Sequence, residues 1–204
     1  ENKEVIEMES DEIAEFIGWY LGDGCLSINN NKRNFSITGD LKEELAFYQE
    51  IICPTVNRIF SEVLNSDITL KKYPSLGVCG IYVGQKSFIK VLQDDLNIKP
   101  GKKIQINLPT LKKQSQKIAF LRGIYDTDGS IYFCRSNAKT KNPTFCGTYH
   151  YKPKIKLATI SKEIIDYVYL LLTELGFSPR LYSPRKQWFH ENTMHAVVLD
   201  TNEN

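Results

Sequence analysis

Apolar residues recur at helical spacing over residues 10–23, at Ile13, Phe16, Ile17, Tyr20 and Leu21. Ser10 stands at the N-cap, and Asp11 and Glu12 fill the first turn, where the helix dipole favours acids. The period then changes to alternation. Leu26 and Ile28, then Phe35 and Ile37, predict a hairpin with Asn29 to Arg33 at its turn. Leu41, Leu45, Tyr48 and Ile52 predict a helix over about 41–52. Strands follow at 67–73 and 78–83 around Pro74-Ser-Leu-Gly77, then a helix over about 86–96 that stops before Pro100-Gly101. The order then starts again. A helix over 114–128 leads to strands at 130–136 and 151–160. A helix over 162–175 is stopped by Gly176, and strands follow at 179–186 and 194–200. The last helix that symmetry calls for is missing before Asn204, so the second half is naturally shorter or has been cut. The fold class is therefore α+β, as two pseudo-symmetric αββαββ(α) halves with antiparallel sheets, spanning residues 1–104 and 105–204.

One stretch is spelled twice. Phe16-Ile-Gly-Trp-Tyr-Leu-Gly-Asp-Gly24 returns as Leu121-Arg-Gly-Ile-Tyr-Asp-Thr-Asp-Gly129, with Gly18, Asp23 and Gly24 repeated 105 positions later as Gly123, Asp128 and Gly129. Ala14, Gly18 and Gly22 form a stripe of small residues, and Ala119, Gly123 and Thr127 form the matching one. Glycine costs about 1 kcal/mol in a helix interior, so its use here implies close helix–helix packing. The two motif helices are expected to meet along these stripes.

Composition changes little by itself. The chain has 204 residues, 42% hydrophobic and 25% charged, as in ordinary globular proteins. No apolar run is long enough to span a bilayer, and residues 1–15 are too acidic for a signal peptide. Five scattered cysteines without a C-x-x-C pair argue against a zinc ribbon and for reduced thiols in an intracellular protein, in a prokaryotic cytoplasm or an organelle. His190 and His195 are five residues apart and share no helical face, which excludes a metalloprotease helix.

Charge distribution is more telling than the net +2. Residues 1–15 hold seven acids and one lysine, whereas residues 96–162 hold fourteen Lys/Arg and two acids, Asp126 and Asp128. Lys152, Lys154 and Lys156 alternate with Ile155 and Leu157, so one sheet face is expected to be basic and the other apolar under helices. A basic face of this kind suits a polyanion.

Asp23 and Asp128 each end a helix, ahead of a Gly suited to the left-handed C′ position. The helix end already carries negative partial charge from unpaired carbonyls. If the small stripes bring two such ends together, a cation is needed, and hard oxygen donors suit Mg²⁺ or Mn²⁺. Divalent ions so held can support an in-line phosphodiester displacement.

Both stretches resemble the LAGLIDADG motif of homing endonucleases, and the order of elements resembles that family over nearly the whole chain. The first copy departs at Leu21, where the second keeps Asp126. The resemblance implies a single-chain, intron-encoded, monomeric enzyme with an internal pseudo-two-fold. Its sheets would form a saddle on a long, asymmetric double-stranded DNA target, with the motif helices packed between the halves. Both strands would be cut across the minor groove, leaving short 3′ overhangs. Asp23 and Asp128 would bind metal, assisted by the carbonyls of Gly22 and Thr127, with Lys103 (or Lys102) as the active-site lysine. The family's polar position at the end of the second strand falls near Gly39 and Thr159. DNA contacts would come from Lys32, Arg33, Lys71, Lys72, Arg135, Lys139, Lys141, Lys152, Lys154, Lys156, Arg180, Arg185 and Lys186, through phosphates and guanine edges. The same fold also serves RNA-binding intron maturases and non-cleaving DNA-binding proteins, so intron RNA is a further partner to consider. The lack of an N-terminal Cys or Ser nucleophile and of a terminal His-Asn pair points away from an intein.

Overall fold

The computed structural model describes residues 10–30, 32–101, 107–135, 149–182 and 193–200. Helix α1 (Asp11–Asp23) begins as the sequence requires, with the Ser10 hydroxyl accepting from the Ile13 N–H at 3.2 Å. Strands β1 (Gly24–Asn29) and β2 (Lys32–Asp40) follow. Asn29 pairs with Lys32, so the turn is only two residues, with Asn30 at φ 48°. Lys32 and Arg33 therefore lie on the strand rather than in the turn.

The next helix runs later than its apolar period suggests. Asp40 Oδ1 accepts the N–H groups of Lys42 (2.7 Å) and Glu43 (2.9 Å), which holds residues 41–44 as a capped turn. Those two donors hold the Asp40 carboxyl below the usual carboxylate range, Glu43 first. The helix proper is α2 (Leu45–Phe47), a π-helical turn (Tyr48–Ile52) and α3 (Cys53–Ile59), which run on without a break, with Pro54 just past the π turn.

Of the strand expected over 67–73, only β3 (Lys71–Tyr73) joins the sheet. Upstream, Asn57 accepts from the Ile68 N–H at 2.7 Å and donates to the Ile68 carbonyl at 2.9 Å. That clasp ties residue 68 to α3 instead. A 3₁₀ turn (Pro74–Leu76), with Gly77 at φ 65°, leads into β4 (Val78–Val83), and α4 (Lys86–Asp94) closes the half. The sheet is antiparallel in the order β1-β2-β4-β3. Its covered face carries Leu26, Phe35, Ile37, Ile81 and Val83, all nearly fully buried. Phe16, Phe35, Phe60 and Phe88 pack there mostly edge to face, with centroids 4.8–5.7 Å apart. Each such contact adds about 0.5–1.5 kcal/mol to the burial itself.

Helix α5 (Gln114–Asp128) leads to β5 (Gly129–Arg135), β6 (Tyr149–Thr159), α6 (Lys162–Glu174), β7 (Arg180–Tyr182) and β8 (His195–Asp200). The second sheet has the order β5-β6-β8-β7, the same topology as the first. Ser161 caps α6 as Ser10 caps α1. Ile164, Val168 and Leu171 of α6 and Leu157 and Val197 of the sheet form its core. Ile131, the repeat counterpart of Leu26, is 70% exposed where Leu26 is 1% exposed. In the first sheet α4 follows β4, but no helix follows β8 among the described residues.

Two compact units divide between Thr127 and Asp128, the last residue of α5. Cys25, Cys53 and Cys79 are free thiols. No helix among the described residues is long and apolar enough to cross a membrane.

Candidate metal and nucleic-acid site

The small-residue stripes do what the sequence implies. A Cβ on Gly18 would lie 2.5 Å from the Phe120 carbonyl oxygen and 2.7 Å from the Ile124 nitrogen. A Cβ on Gly123 would lie 3.2 Å from the Gly18 Cα. Helices α1 and α5 thus touch backbone to backbone, a distance that real Cβ atoms do not allow. Polar contacts flank the crossing. Arg122 Nε donates to Glu15 Oε1 at 2.6 Å, its second fork nitrogen pairs with Glu15 Oε2, and the Ser115 hydroxyl donates to Asp11 Oδ1 at 2.9 Å. Burial raises the Asp126 carboxyl above its ordinary range, Glu15 adds to the rise, and Arg122 pulls it back.

Asp23 is the last residue of α1 and is half-buried. Its next neighbour, Gly24, is not left-handed. Gly24 is extended, at φ −77° and ψ 152°, and opens β1 directly. Glycine is needed there for space, because a Cβ would fall 2.5 Å from the Tyr20 ring. Gly129 likewise has no positive φ. The Asp23 carboxylate accepts at Oδ2 from the Tyr48 hydroxyl at 3.3 Å. Tyr48 is fully buried, and burial first, then the Asp23 and Glu44 carboxylates, raises its hydroxyl far above the ordinary tyrosine range. It is a donor at any working pH. Gly22 is half-buried beside Asp23. The Thr127 hydroxyl lies 3.2 Å from the Gly123 and Ile124 carbonyls of its own helix. Among the described residues no three His, Cys, Asp or Glu side chains gather as a metal cage. A carboxylate at a helix end with adjacent carbonyls fits an ion that keeps most of its waters, as Mg²⁺ does.

The expected polar position at Gly39 is filled from elsewhere. Glu44 places its carboxylate beside Gly39, held by the Asp40 N–H at 2.6 Å. Thr159 is occupied at its turn, where its hydroxyl accepts from the Ser161 N–H at 3.4 Å.

On the first sheet, pairing puts Lys71, Tyr73 and Tyr82 on the open face with Lys32, Ser36 and Thr38. Lys71 Nζ lies 5.7 Å from the Tyr82 ring centre, and Tyr73 meets that ring edge-on at 5.5 Å. Arg33 and Lys72 have the opposite parity, paired to Ile28 and Cys79. On the second sheet, Lys154, Lys156 and Arg180 share the open face with Tyr132, Tyr182 and Asp200. Lys154 Nζ pairs with Asp200 at 3.0 Å, and Arg180 reaches the same carboxylate at 3.6 Å. The three lysines expected to act alike therefore do not. Arg135 and Lys152 lie on β5 and β6 with their side chains outside the described residues, as are Lys102, Lys103, Lys139, Lys141, Arg185 and Lys186.

Comparison with known proteins now adds its weight. Residues 115–203 match the model of the LAGLIDADG-like domain. That match takes in the second motif and the residues after it. The chain's fold is that of the LAGLIDADG homing endonucleases. The structure of I-DmoI in complex with DNA and Ca is similar at a TM-score of 0.61 and 17% identity, over 94% of this chain and 84% of that one. The I-LtrWI LAGLIDADG homing endonuclease bound to target DNA is similar at 0.58 and 11%, over 94% and 78%. In sequence, the replication factor C small subunit of Methanocaldococcus jannaschii is 28% identical over 194 residues, covering 94% of this chain. The chain spans only 9% of that relative's length.

Within the LAGLIDADG fold, sequence reading missed Tyr48, Glu44 and Asp200. Helical periodicity counts Tyr48 as an apolar position and is blind to its hydroxyl. Glu44 and Asp200 act through contacts that no local pattern encodes. Asp200 changes one expectation. Lys156→Ala should lower the salt dependence of DNA binding by about one counterion in slope. Lys154→Ala should lower it less, because Lys154 is already paired with Asp200. Binding titrations at several salt concentrations check this, and equal slopes for the two variants would refute it.

Proposed function

We propose that the chain is a site-specific DNA endonuclease that uses divalent metal to break both strands of a long, asymmetric target. The observation that carries this reading is the repeated helix ending in Asp23 and Asp128, with its glycine contact between α1 and α5. Asp23 and Asp128, with the Gly22 and Thr127 carbonyls, would hold Mg²⁺ or Mn²⁺. When bound, such an ion supplies an activated water and charge stabilisation for phosphodiester displacement. The chain's own part is to present two carboxylates at helix ends and to bind the phosphate backbone along its basic sheet faces. Lys32, Lys71 and Lys156 are the strand cations on the open faces that would do so, with Lys154 and Arg180 sharing Asp200 beside them. The DNA-bound state of I-DmoI and I-LtrWI supports the same use of the fold here. Lys103 remains the candidate lysine at the reacting phosphate.

The match to 9% of a much longer relative favours an endonuclease module carried inside a longer polypeptide over a free-standing, intron-encoded one. The test DNA is the same in either case: a duplex spanning the junction that lacks the inserted element. Incubation with Mg²⁺ should give a double-strand break at one position, and EDTA should abolish it. Tight binding of the element's RNA with no cut in any junction duplex would favour the maturase reading instead.

A further inference from the structure

The π-helical turn after β2 stands just before Pro54, whose missing N–H interrupts the helix ladder there. π turns are frequent at functional sites. This one begins at Tyr48, and the Cys53 N–H closes it on the Tyr48 carbonyl. Tyr48 is fully buried, yet its hydroxyl reaches Asp23 Oδ2 from 25 residues away in sequence. The ring is fixed on several sides. Phe47 meets it edge-on at 6.1 Å and itself packs edge-on against Trp19 of α1 at 6.3 Å. On the other side Gly39 leaves the ring its space, since a Cβ there would fall 2.6 Å from Tyr48 Cε2. Glu44, held by the Asp40 N–H, fills the rest of that corner.

We propose that Tyr48 is a positioning residue for the Asp23 carboxylate, directing one oxygen toward its buried hydroxyl so that the other is presented to the metal. The inference rests on the reading of Asp23 as a metal ligand. An aspartate at a frayed helix end has free rotamers, and a ligand that must be ordered at binding loses affinity by that ordering. A fixed donor removes the loss. Outer partners of ligating carboxylates act in this way, and their removal typically weakens metal binding by about 10–100-fold.

The test uses the full chain with the duplex it cuts, and Mn²⁺ as the probe, with free Mn²⁺ read by electron paramagnetic resonance. Tyr48→Phe keeps the ring and removes one oxygen. It should weaken Mn²⁺ binding about 10-fold, with cleavage largely restored at saturating Mn²⁺. Phe47→Leu serves as the packing control, since it loosens the same ring but keeps the hydroxyl, and should lower the melting temperature while weakening Mn²⁺ binding clearly less than Tyr48→Phe does. Unchanged affinity in Tyr48→Phe overturns the proposal, and so does an equal loss in Phe47→Leu. Asp23→Asn is measured in parallel. If it binds Mn²⁺ as tightly as the parent, the ligand assignment itself fails and Tyr48 loses its role with it.

Discussion

Asp23→Asn and Asp128→Asn should each abolish double-strand cleavage while leaving DNA binding nearly intact. The amide keeps the shape of the carboxylate and still accepts from a hydroxyl such as that of Tyr48. It cannot supply the charge that a divalent ion requires, so the rate should fall by about 10²–10³-fold or more. The strand cations on the open sheet faces are untouched, so phosphate affinity stays. A second signature separates this from misfolding. A carboxylate at a helix C-terminus costs about 0.3–1 kcal/mol against the dipole. Neutralising it should raise the melting temperature by about 1–4 °C for a chain of this size. Cleavage, gel-shift and melting measurements on the same preparations check all three. Loss of binding in a folded variant would remove the metal assignment.

Gly18→Val should destabilise the protein by about 3 kcal/mol or more, and Gly18→Ala by less. Two effects compete in the alanine variant. Replacing glycine in a helix gains about 1 kcal/mol in propensity. Against this, the new Cβ lands 2.5–2.9 Å from backbone atoms of Phe120, Gly123 and Ile124, which cannot swing aside as a side chain could. Overpacking costs about 1–3 kcal/mol even where side chains can yield. Valine adds two methyl groups at the same point and loses most of the propensity gain. A melting-temperature drop of roughly 6–12 °C is expected for Gly18→Val. A melt unchanged within a degree would mean that α1 and α5 can part without cost, and the glycine stripe would then need another explanation.

Much of this was legible in the residues. Caps at Ser10 and Ser161, the two motif helices, and the strands that alternate Lys154, Lys156 with Ile155, Leu157 all follow from short-range rules. The glycine contact was legible because close backbone approach explains small residues at one-turn spacing, Ala14, Gly18 and Gly22, in a helix. What was not legible is tertiary. Asp40 looks like part of a strand end but caps the next turn, which moved the following helix down the chain. Asn57 looks like a polar helix residue but holds Ile68 off the sheet. Gly24 was assigned a left-handed turn, although its role is to clear the Tyr20 ring. Lys72 fits the parity of a covered face, which became visible only once Cys79 was known to be its partner.

The π turn also bears on how the two halves are to be compared. Sheet pairing places Leu157 where Ile37 stands, since each faces the glycine that follows a motif helix, so the halves are offset by 120 positions there. A π turn holds one residue more than an α turn, and α6 runs from Lys162 to Glu174 without one. At the next inner strand the offset is 116, since Ile37 pairs with Ile81 and Leu157 with Val197. The offset thus moves from 105 at the motif to 120 and then 116 along the chain, so no single register spans both halves and only the motif still reads as a repeat. The two halves are therefore best aligned element by element, with the π turn of Tyr48 to Ile52 set apart as a feature of the first half.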